Sequence, residues 1–238
     1  MSVARPLLAP REHAPPNSEF HRLTALQDRV RRGAEALCIS LSSDALTKIE
    51  QYAQLLGLWG AKINLTAIPL DDAERVATHH FLDCLACVAQ LPPTADLPAP
   101  TLIDVGSGAG FPGVLCALLR PELQVTLVER VGKKAAFLQT LRRELGLSYT
   151  VESCDAERLV PGPGAAGYGL AVSRAALPPP QWLGLAVRLV APAGYVLSMT
   201  SLTEPTPTLP GAILLAEHTY DVGAGGKRLL TWQRQTAR

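Results

Sequence analysis

The chain has 238 residues, of which 47% are hydrophobic, so it can bury a substantial core as one large or two small domains. Its 22 basic and 21 acidic residues give a formal net charge of +1, and no strong overall field therefore indicates nucleic acid. No apolar run reaches the roughly 20 residues that a membrane-spanning helix requires, so we expect no membrane partner.

The first 98 residues predict a tail followed by a small helical layer. Residues 1–19 are rich in proline and lack the apolar core of a signal peptide, so we expect a disordered tail. Apolar residues at helical spacing predict helices over residues 20–37 and about 43–60, and a third from about residue 72 to residue 90. Residues 20–98 are thus predicted to form an N-terminal helical cap that precedes an α/β domain over residues 99–238.

The cysteines indicate a reduced, cytoplasmic protein. Five of them are scattered along the chain, an odd number that does not favour a disulfide framework. Cys84 and Cys87 have the spacing of a redox or zinc half-motif, but no second pair accompanies them and they lie in a helical run. We interpret both as core residues and predict no metal site.

A glycine-rich stretch gives the strongest local signal. Residues 101–113 read Thr-Leu-Ile-Asp-Val-Gly-Ser-Gly-Ala-Gly-Phe-Pro-Gly, which predicts a buried strand, a glycine turn and a helix that starts near Pro112. Such a unit is typical of nucleotide-type α/β sites. Asp104 and the strictly alternating Gly106, Gly108 and Gly110 differ from the pyrophosphate spacing, which argues against a nicotinamide-dependent oxidoreductase. The pattern resembles the first motif of S-adenosylmethionine methyltransferases; the alternative is a tight turn without a ligand.

Further polar groups are predicted to lie at the same edge of a parallel sheet. Glu129 ends a strand roughly 20 residues beyond the glycines, where a ribose-binding carboxylate sits in such folds; the alternative is a solvated strand end. Ala156 and Glu157 follow a third predicted strand, and Arg174 ends a fourth. Because ligands of open α/β sheets bind beyond the carboxyl ends of the strands, we expect these residues to share one site with Gly106. Residues 212–220 and 227–233 predict a final hairpin.

Several short motifs in order resemble one family. They are Trp59-x-x-Lys62-x-Asn64-Leu65-Thr66-Ala67, His80-Phe81-Leu82-Asp83, the stretch from Asp104 to Gly113, and Ser173-Arg174-Ala175. Together they are similar to RsmG (GidB), the bacterial methyltransferases that modify guanine N7 in small-subunit ribosomal RNA. The resemblance implies a Rossmann-like class I methyltransferase with a seven-stranded, mostly parallel sheet. It also implies S-adenosylmethionine as cofactor and cytoplasmic 16S rRNA as partner, expected within a 30S particle.

The residues and the resemblance together give a set of candidate site residues. Those expected to bind the cofactor are Asp104, Gly106, Gly108, Gly110, Phe111, Glu129, Ala156, Glu157 and Arg174. Those expected on the substrate side are Asn64, Thr66, His80, Asp83 and Arg174. For Arg174 the alternative is a structural ion pair, and His80 with Asp83 are expected as a hydrogen-bonded pair that fixes the cap. Guanine N7 carries no proton, so no general base is assigned.

The sequence departs from the family pattern mainly on the expected substrate side. Met199-Thr200-Ser201 stands where the family commonly has Lys-Gly, and residues 203–210 are proline-rich where a helix normally crosses over. A discontinuous basic surface is expected to contact RNA, with weak, salt-dependent binding to free RNA. Its residues are Arg29, Arg31, Arg32, Lys133, Lys134, Arg142, Arg143, Lys227 and Arg228.

Two other functions remain compatible with the sequence. A small-molecule S-adenosylmethionine methyltransferase would keep the glycine loop and use the helical cap as a lid. A non-catalytic protein that binds S-adenosylmethionine would keep the loop without transferring the methyl group.

Overall fold

The computed structural model describes residues 16–159, 167–174, 176–223 and 225–235. Residues 1–15 of the predicted tail lie outside the described residues, and the first helix begins at Pro16. Within the described ranges, no helix is both long and apolar enough to cross a bilayer.

The described chain before the first strand is mainly helical, and its first helix begins within the predicted tail rather than at residue 20. This helical layer comprises α1 (Pro16–Ala36), α2 (Ser43–Gly60), α3 (Ala73–Val76), a π-helical segment (Ala77–Leu82) and α4 (Asp83–Ala89). The Ser42 hydroxyl caps α2 by accepting the Ala45 N–H at 3.1 Å, and the Asp72 carboxylate caps α3 by accepting the Arg75 N–H at 3.0 Å. The π-helical segment, which the sequence periodicity does not predict, contains His80 and leads directly into Asp83.

The sheet has seven strands in the order β3-β2-β1-β4-β5-β7-β6. Strands β1 to β5 are parallel, and β7 pairs antiparallel with both β5 and β6, which confirms the predicted fold class. The strands are β1 (Thr101–Val105), β2 (Gln124–Val128), β3 (Tyr149–Glu152), β4 (Tyr168–Arg174), β5 (Val190–Ser201), β6 (Ala212–Tyr220) and β7 (Lys227–Arg234). The strand order reverses between β1 and β4, so a crevice is expected beyond their carboxyl ends.

Three further helices cover the sheet, and two apolar clusters fill its two faces. The helices are α5 (Gly113–Leu119), α6 (Gly132–Leu145) and α7 (Pro179–Leu189). One cluster joins the helical layer, α5 and α6 to the sheet, so that Tyr52 and Leu56 of α2 share a core with Leu127 of β2. The other packs α7 against the opposite face. Cys84 and Cys87 are free thiols buried in the first cluster, as the core interpretation predicts.

The junction between β1 and α5 explains why glycine occupies position 113. The Gly113 N–H donates to Asp104 Oδ2 at 2.9 Å, which ties the start of the helix to the end of the strand. A Cβ atom at this position would lie 2.3 Å from Leu127 Cδ2 and 2.6 Å from Asp104 Oδ2. Both neighbours are fully buried, so neither can move away easily.

We therefore expect Gly113→Ala to destabilise the protein by about 1–3 kcal/mol through overpacking. The matched control is Gly57→Ala in α2, where an added Cβ meets no atom within 4 Å. That change should leave the free energy of unfolding unchanged or raise it by up to about 1 kcal/mol. Urea unfolding followed by circular dichroism measures both, and equal stabilities of the two variants would contradict this account of the junction.

Candidate active site

The glycine turn after β1 has a conformation that depends on its glycines. Gly106, Gly108 and Gly110 have φ values of +71°, +56° and +98°, which side-chain-bearing residues rarely adopt. A Cβ on Gly108 would meet only the Gly106 oxygen, at 3.7 Å, so Gly108 lies open. A Cβ on Gly110 would instead lie 2.6 Å from Tyr52 Oη. Gly108 thus offers bare backbone to a ligand, whereas Gly110 is required by packing against α2.

One side of this turn forms a cleft above β1 and β2, here named the β1–β2 cleft. It brings together five of the predicted cofactor residues: Gly106, Gly108, Glu129, Ala156 and Glu157. Lys134 also lines it. Val131 and Leu177 expose 44% and 37% of their surface here, which is unusual for large apolar side chains.

Glu129 lies at the base of the β1–β2 cleft. Its Oε2 accepts the Gly108 N–H at 2.9 Å, and its Oε1 accepts the Val131 N–H at 2.7 Å. Each carboxylate oxygen retains capacity for a further hydrogen bond, so the group can also accept two hydroxyls. A carboxylate between exposed apolar side chains fits a nucleoside, because the carboxylate can accept the sugar hydroxyls and the apolar side chains can pack against the base.

The predicted residues Asp104 and Gly110 lie beneath the turn, and neither lines this cleft. Asp104 is fully buried, and its Oδ1 has no hydrogen-bond partner among the described residues. Burial raises the pKa of its carboxyl group to about 7, although the Gly113 N–H opposes this shift. In this structure Asp104 positions the turn and the start of α5. Its contact with a cofactor stays a prediction.

The other side of the turn forms a second cleft against the helical layer, here named the cap cleft. All the substrate-side candidates line it: Asn64, Thr66, His80, Asp83 and Arg174. Phe111, predicted as a cofactor contact, also lines it, and so do Lys134 and Lys227. The two clefts share Gly106, Gly108 and Lys134. The glycine turn therefore faces both of them.

Phe111 holds the turn against the helical layer. Its ring stacks on Tyr52 at a centroid distance of 4.8 Å and on His80 at 4.7 Å. Tyr52 also donates its hydroxyl hydrogen to the Ala109 oxygen at 2.5 Å. The Arg174 guanidinium carbon lies 5.3 Å from the Phe111 ring centroid, within the range of a cation–π contact. The aromatic contacts fix the wall of the cap cleft.

The hydrogen bonds of His80 define its protonation state. Arg174 Nη2 lies 3.2 Å from His80 Nδ1, and because arginine only donates, Nδ1 must accept. The proton therefore sits on Nε2 and is donated to Thr66 Oγ1 at 3.1 Å. Burial, aided by the charge of Arg174, lowers the pKa of His80 to about 3. His80 is thus a neutral histidine with both ring nitrogens engaged.

Arg174 forms a structural ion pair, which was one of the two interpretations of this residue from the sequence. It also lines the cap cleft, so a ligand can still reach it. Its Nη1 lies 3.2 Å from Oδ2 of the fully buried Asp83 and donates to the His79 oxygen at 2.7 Å. Lys227 Nζ lies 2.9 Å from the same Asp83 oxygen, and Tyr220 donates to Asp83 Oδ1 at 3.0 Å. The predicted bond between His80 and Asp83 is wrong, because each of these side chains bonds to Arg174 instead.

Comparisons with known proteins identify the family of this chain. The family model described as rRNA small subunit methyltransferase G (GidB) matches residues 45–205. The chain belongs to this family. The match covers the glycine turn, both clefts except Lys227, and the strands up to β5, and it confirms the resemblance seen in the sequence.

Individual relatives extend the match over most of the chain. A ribosomal RNA small subunit methyltransferase G from Anaeromyxobacter dehalogenans is 34% identical over 221 residues, which cover 89% of this chain and 99% of the relative. One from Myxococcus xanthus is 37% identical over 174 residues, covering 73% and 77%. A solved structure of an MtNAS mutant in complex with S-adenosylmethionine aligns over 92% of each chain with a TM-score of 0.55 and 12% identity. That likeness shows the fold alone.

The predicted basic surface is only partly available in this family member. Arg228 is 7% exposed and donates to Ser201, Glu204, Thr206 and Glu217, so its assignment to an RNA surface is wrong. The reason is that β7 lies between β5 and β6, where the segment after β5 covers the guanidinium. Lys133 and Lys134, by contrast, form no ion pair with any residue that the structure describes.

Three supporting residues were not identified as site residues from the sequence. Tyr52, Tyr220 and Lys227 come from α2, β6 and β7, which are distant in sequence from the glycine turn. Lys227 was noticed only as a basic residue, and no local motif marks the two tyrosines. Their roles follow from tertiary contacts alone.

Acidification tests the state of His80. Its pKa is about 3 in the folded protein and about 6.5 when unfolded, so the unfolded chain binds an extra proton below pH 6.5. This site should therefore reduce stability by about 1.4 kcal/mol per pH unit as the pH falls from about 6 towards 4. His80→Asn keeps an acceptor near Arg174 but does not titrate. We expect a correspondingly shallower decline in urea-unfolding free energy between pH 6.5 and 4.5. Parallel curves for the two proteins would contradict the lowered pKa, because they would mean that His80 binds its proton equally well in the folded and unfolded chain.

Proposed function

We propose that this protein transfers a methyl group from S-adenosylmethionine to N7 of a guanine in 16S ribosomal RNA. Membership of the rRNA small subunit methyltransferase G family supports the reaction and the class of substrate. The observation that carries the proposal is the glycine turn with a cleft on each side. One cleft has the groups that a nucleoside cofactor needs, and the other collects all the substrate-side candidates.

The residues of the β1–β2 cleft fit the cofactor. Glu129 would accept the ribose hydroxyls, and Val131 and Leu177 would pack against the adenine ring. Ala156 leaves room for the base beside its backbone. Lys134, which lines both clefts, would pair with the carboxylate of the amino-acid end. When bound, S-adenosylmethionine supplies a methyl group on a positively charged sulfur.

Methyl transfer to guanine N7 does not require an acid–base group of the protein. Guanine N7 offers a lone pair without a proton, so forming the N7–C bond and breaking the C–S bond requires no base. His80 could not act as one, because Nδ1 accepts from Arg174 and Nε2 already carries its proton. The residues of both clefts must instead align the reacting atoms and limit water. Their many mutual contacts suit them to this positioning role.

RNA binding in this proposal depends on two lysines near the clefts that pair with no acidic residue in the described ranges. Lys133 is exposed and Lys134 is partly exposed, at the start of α6 beside the β1–β2 cleft. With a net charge of only +1, the protein should bind free RNA weakly and with a steep salt dependence. We therefore propose that the substrate is a 30S particle, or an assembly precursor of it, in the cytoplasm.

The decisive experiment uses S-adenosylmethionine with a labelled methyl group. The acceptors are 30S particles from a strain that lacks the gene and the 16S RNA extracted from them. We expect label at a single guanine N7, with particles preferred over naked RNA. If the protein binds S-adenosylmethionine but labels neither acceptor, a small-molecule methyltransferase or a non-catalytic binding protein becomes the better interpretation.

Glu129 provides a direct test of the cofactor site. Glu129→Gln keeps the shape of the side chain but replaces one acceptor oxygen by an N–H donor. We expect the affinity for S-adenosylmethionine, measured by calorimetry, to fall about 10- to 100-fold, which corresponds to about 1.4–3 kcal/mol. Glu144→Gln on the exposed face of α6 is the matched control and should bind normally. Unchanged binding by Glu129→Gln would exclude the proposed ribose contact.

A further inference from the structure

A third cavity opens where β4 and β5 end, here named the β4–β5 cavity. Apolar walls from Leu177, Trp182 and Met199 face hydroxyl and carboxylate groups across it. It shares Leu177 with the β1–β2 cleft, and it shares Asp83, Arg174 and Lys227 with the cap cleft. The cavity therefore adjoins both halves of the proposed active site.

We propose that the β4–β5 cavity receives the target guanine base and that Glu204 reads its N1–H and amino groups. This inference rests on the proposed function, since it names the place where the acceptor base of that reaction binds. A carboxylate suits guanine because two adjacent donors on its Watson–Crick edge can meet two oxygens. Adenine presents an acceptor at N1 and would be repelled. Glu204 would thus determine specificity.

Glu204 is the carboxylate with free capacity in this cavity. The only other one among the described lining residues, Asp83, already accepts from Tyr220 through Oδ1 and pairs with Arg174 and Lys227 through Oδ2. Glu204 Oε2 accepts the Ser201 N–H at 3.0 Å. Its Oε1 makes no hydrogen bond to any residue in the described ranges. The side chain is half-buried, so a ligand can reach it.

Arg228 holds the segment that carries Glu204. Its guanidinium donates to the backbone oxygens of Ser201 and Glu204 and to Thr206 Oγ1 at 3.1 Å. Glu217 on β6 pairs with the same guanidinium at 2.9 Å. Glu204 is therefore fixed on both sides by a buried cation, although its segment contains no helix or strand. Such support is what a specificity-determining side chain requires.

Thr200 supplies the second observation. It lines the cavity and is 6% exposed, and its hydroxyl oxygen has no hydrogen-bond partner among the described residues. A buried hydroxyl without a partner costs free energy, and a bound ligand would relieve this cost. Guanine O6 is an acceptor that a threonine hydroxyl can satisfy after rotation about χ1. Ser198, which also lines the cavity, offers a second hydroxyl.

The strand order gives the base a consistent orientation. The cofactor residues lie above β1 and β2, the cavity lies above β4 and β5, and Glu204 follows β5. In guanine, N7 belongs to the five-membered ring, which is fused to the six-membered ring on the side away from N1 and the amino-bearing C2. A base with its N1 edge on Glu204 therefore directs N7 back across β4 towards the β1–β2 cleft. This is the direction from which the methyl group must come.

Two isosteric variants test the proposal, Thr200→Val and Glu204→Gln, with Thr208→Val on the same segment as control. Thr208 is exposed and does not line the cavity. We expect kcat/KM for methylation of 30S particles to fall about tenfold or more in Glu204→Gln and about 3- to 10-fold in Thr200→Val. Affinity for S-adenosylmethionine should stay within about twofold in all three. The Tm of Thr200→Val should be unchanged or higher, because the Thr200 hydroxyl forms no hydrogen bond with the described part of the chain.

A change in the acceptor separates base reading from general positioning. Particles reconstituted with inosine at the mapped target lack the amino group that Glu204 would bind. Wild-type enzyme should methylate them about tenfold more slowly than guanine particles, and Glu204→Gln should discriminate less. A purely structural role for Glu204 would leave this discrimination unchanged and would overturn the proposal.

The remaining outcomes are distinct. If the wild type methylates 16S RNA and both variants have normal kcat/KM, the β4–β5 cavity does not bind the guanine. The proposed function would be unaffected by that result. Loss of S-adenosylmethionine affinity in the variants would assign the cavity to the cofactor instead. If the wild type itself transfers no methyl group to 16S RNA, the proposed function and this inference fail together.

Discussion

The candidate site depends on the contacts of one partly buried group, the guanidinium of Arg174. It donates to Asp83, His80 and the His79 oxygen, and it lies over the Phe111 ring. A single planar group with five donors thus joins the end of β4, the helical layer and the glycine turn. A lysine ammonium could not make these contacts in one geometry, because it lacks the plane and the fork of donors. The helical layer consequently forms one wall of the candidate active site, and it shares a hydrophobic core with the sheet.

This arrangement determines which groups remain available for ligands. Asp83 balances the charge of Arg174 and Lys227, and His80 and Thr66 satisfy each other. The cap cleft is therefore rigid and internally paired, whereas the open Gly108 backbone and the spare capacity of Glu129 face the β1–β2 cleft. Such a division suits a reaction that requires alignment but no proton transfer. His80, with both ring nitrogens engaged, can hold the wall of the cap cleft in place but has no free nitrogen to act as a base.

The sequence predicts the parts of this structure that depend on local patterns. Strand periodicity, the glycine spacing and the acid at the end of β2 locate the β1–β2 cleft, because neighbouring residues determine those features. Arg174 contacts Asp83 and His80, which lie 91 and 94 positions away in the sequence, and no local sequence pattern predicts such contacts. Lys227 and Arg228 show the difference most clearly. Adjacent residues of a strand point to opposite faces of the sheet. Lys227 therefore contacts Asp83, whereas Arg228 contacts the segment after β5.

The position of Arg174 also limits how the site can be dissected. It borders both the cap cleft and the β4–β5 cavity and supports the wall of the glycine turn through Phe111. Substitution of Arg174 would change acceptor binding, cofactor binding and protein stability together. A loss of activity would therefore not identify its role. Glu129 and Glu204 lie at opposite ends of the site and each line only one of the three spaces. Substitutions at these two carboxylates can therefore separate cofactor binding from acceptor recognition, which no change at the central cation can do.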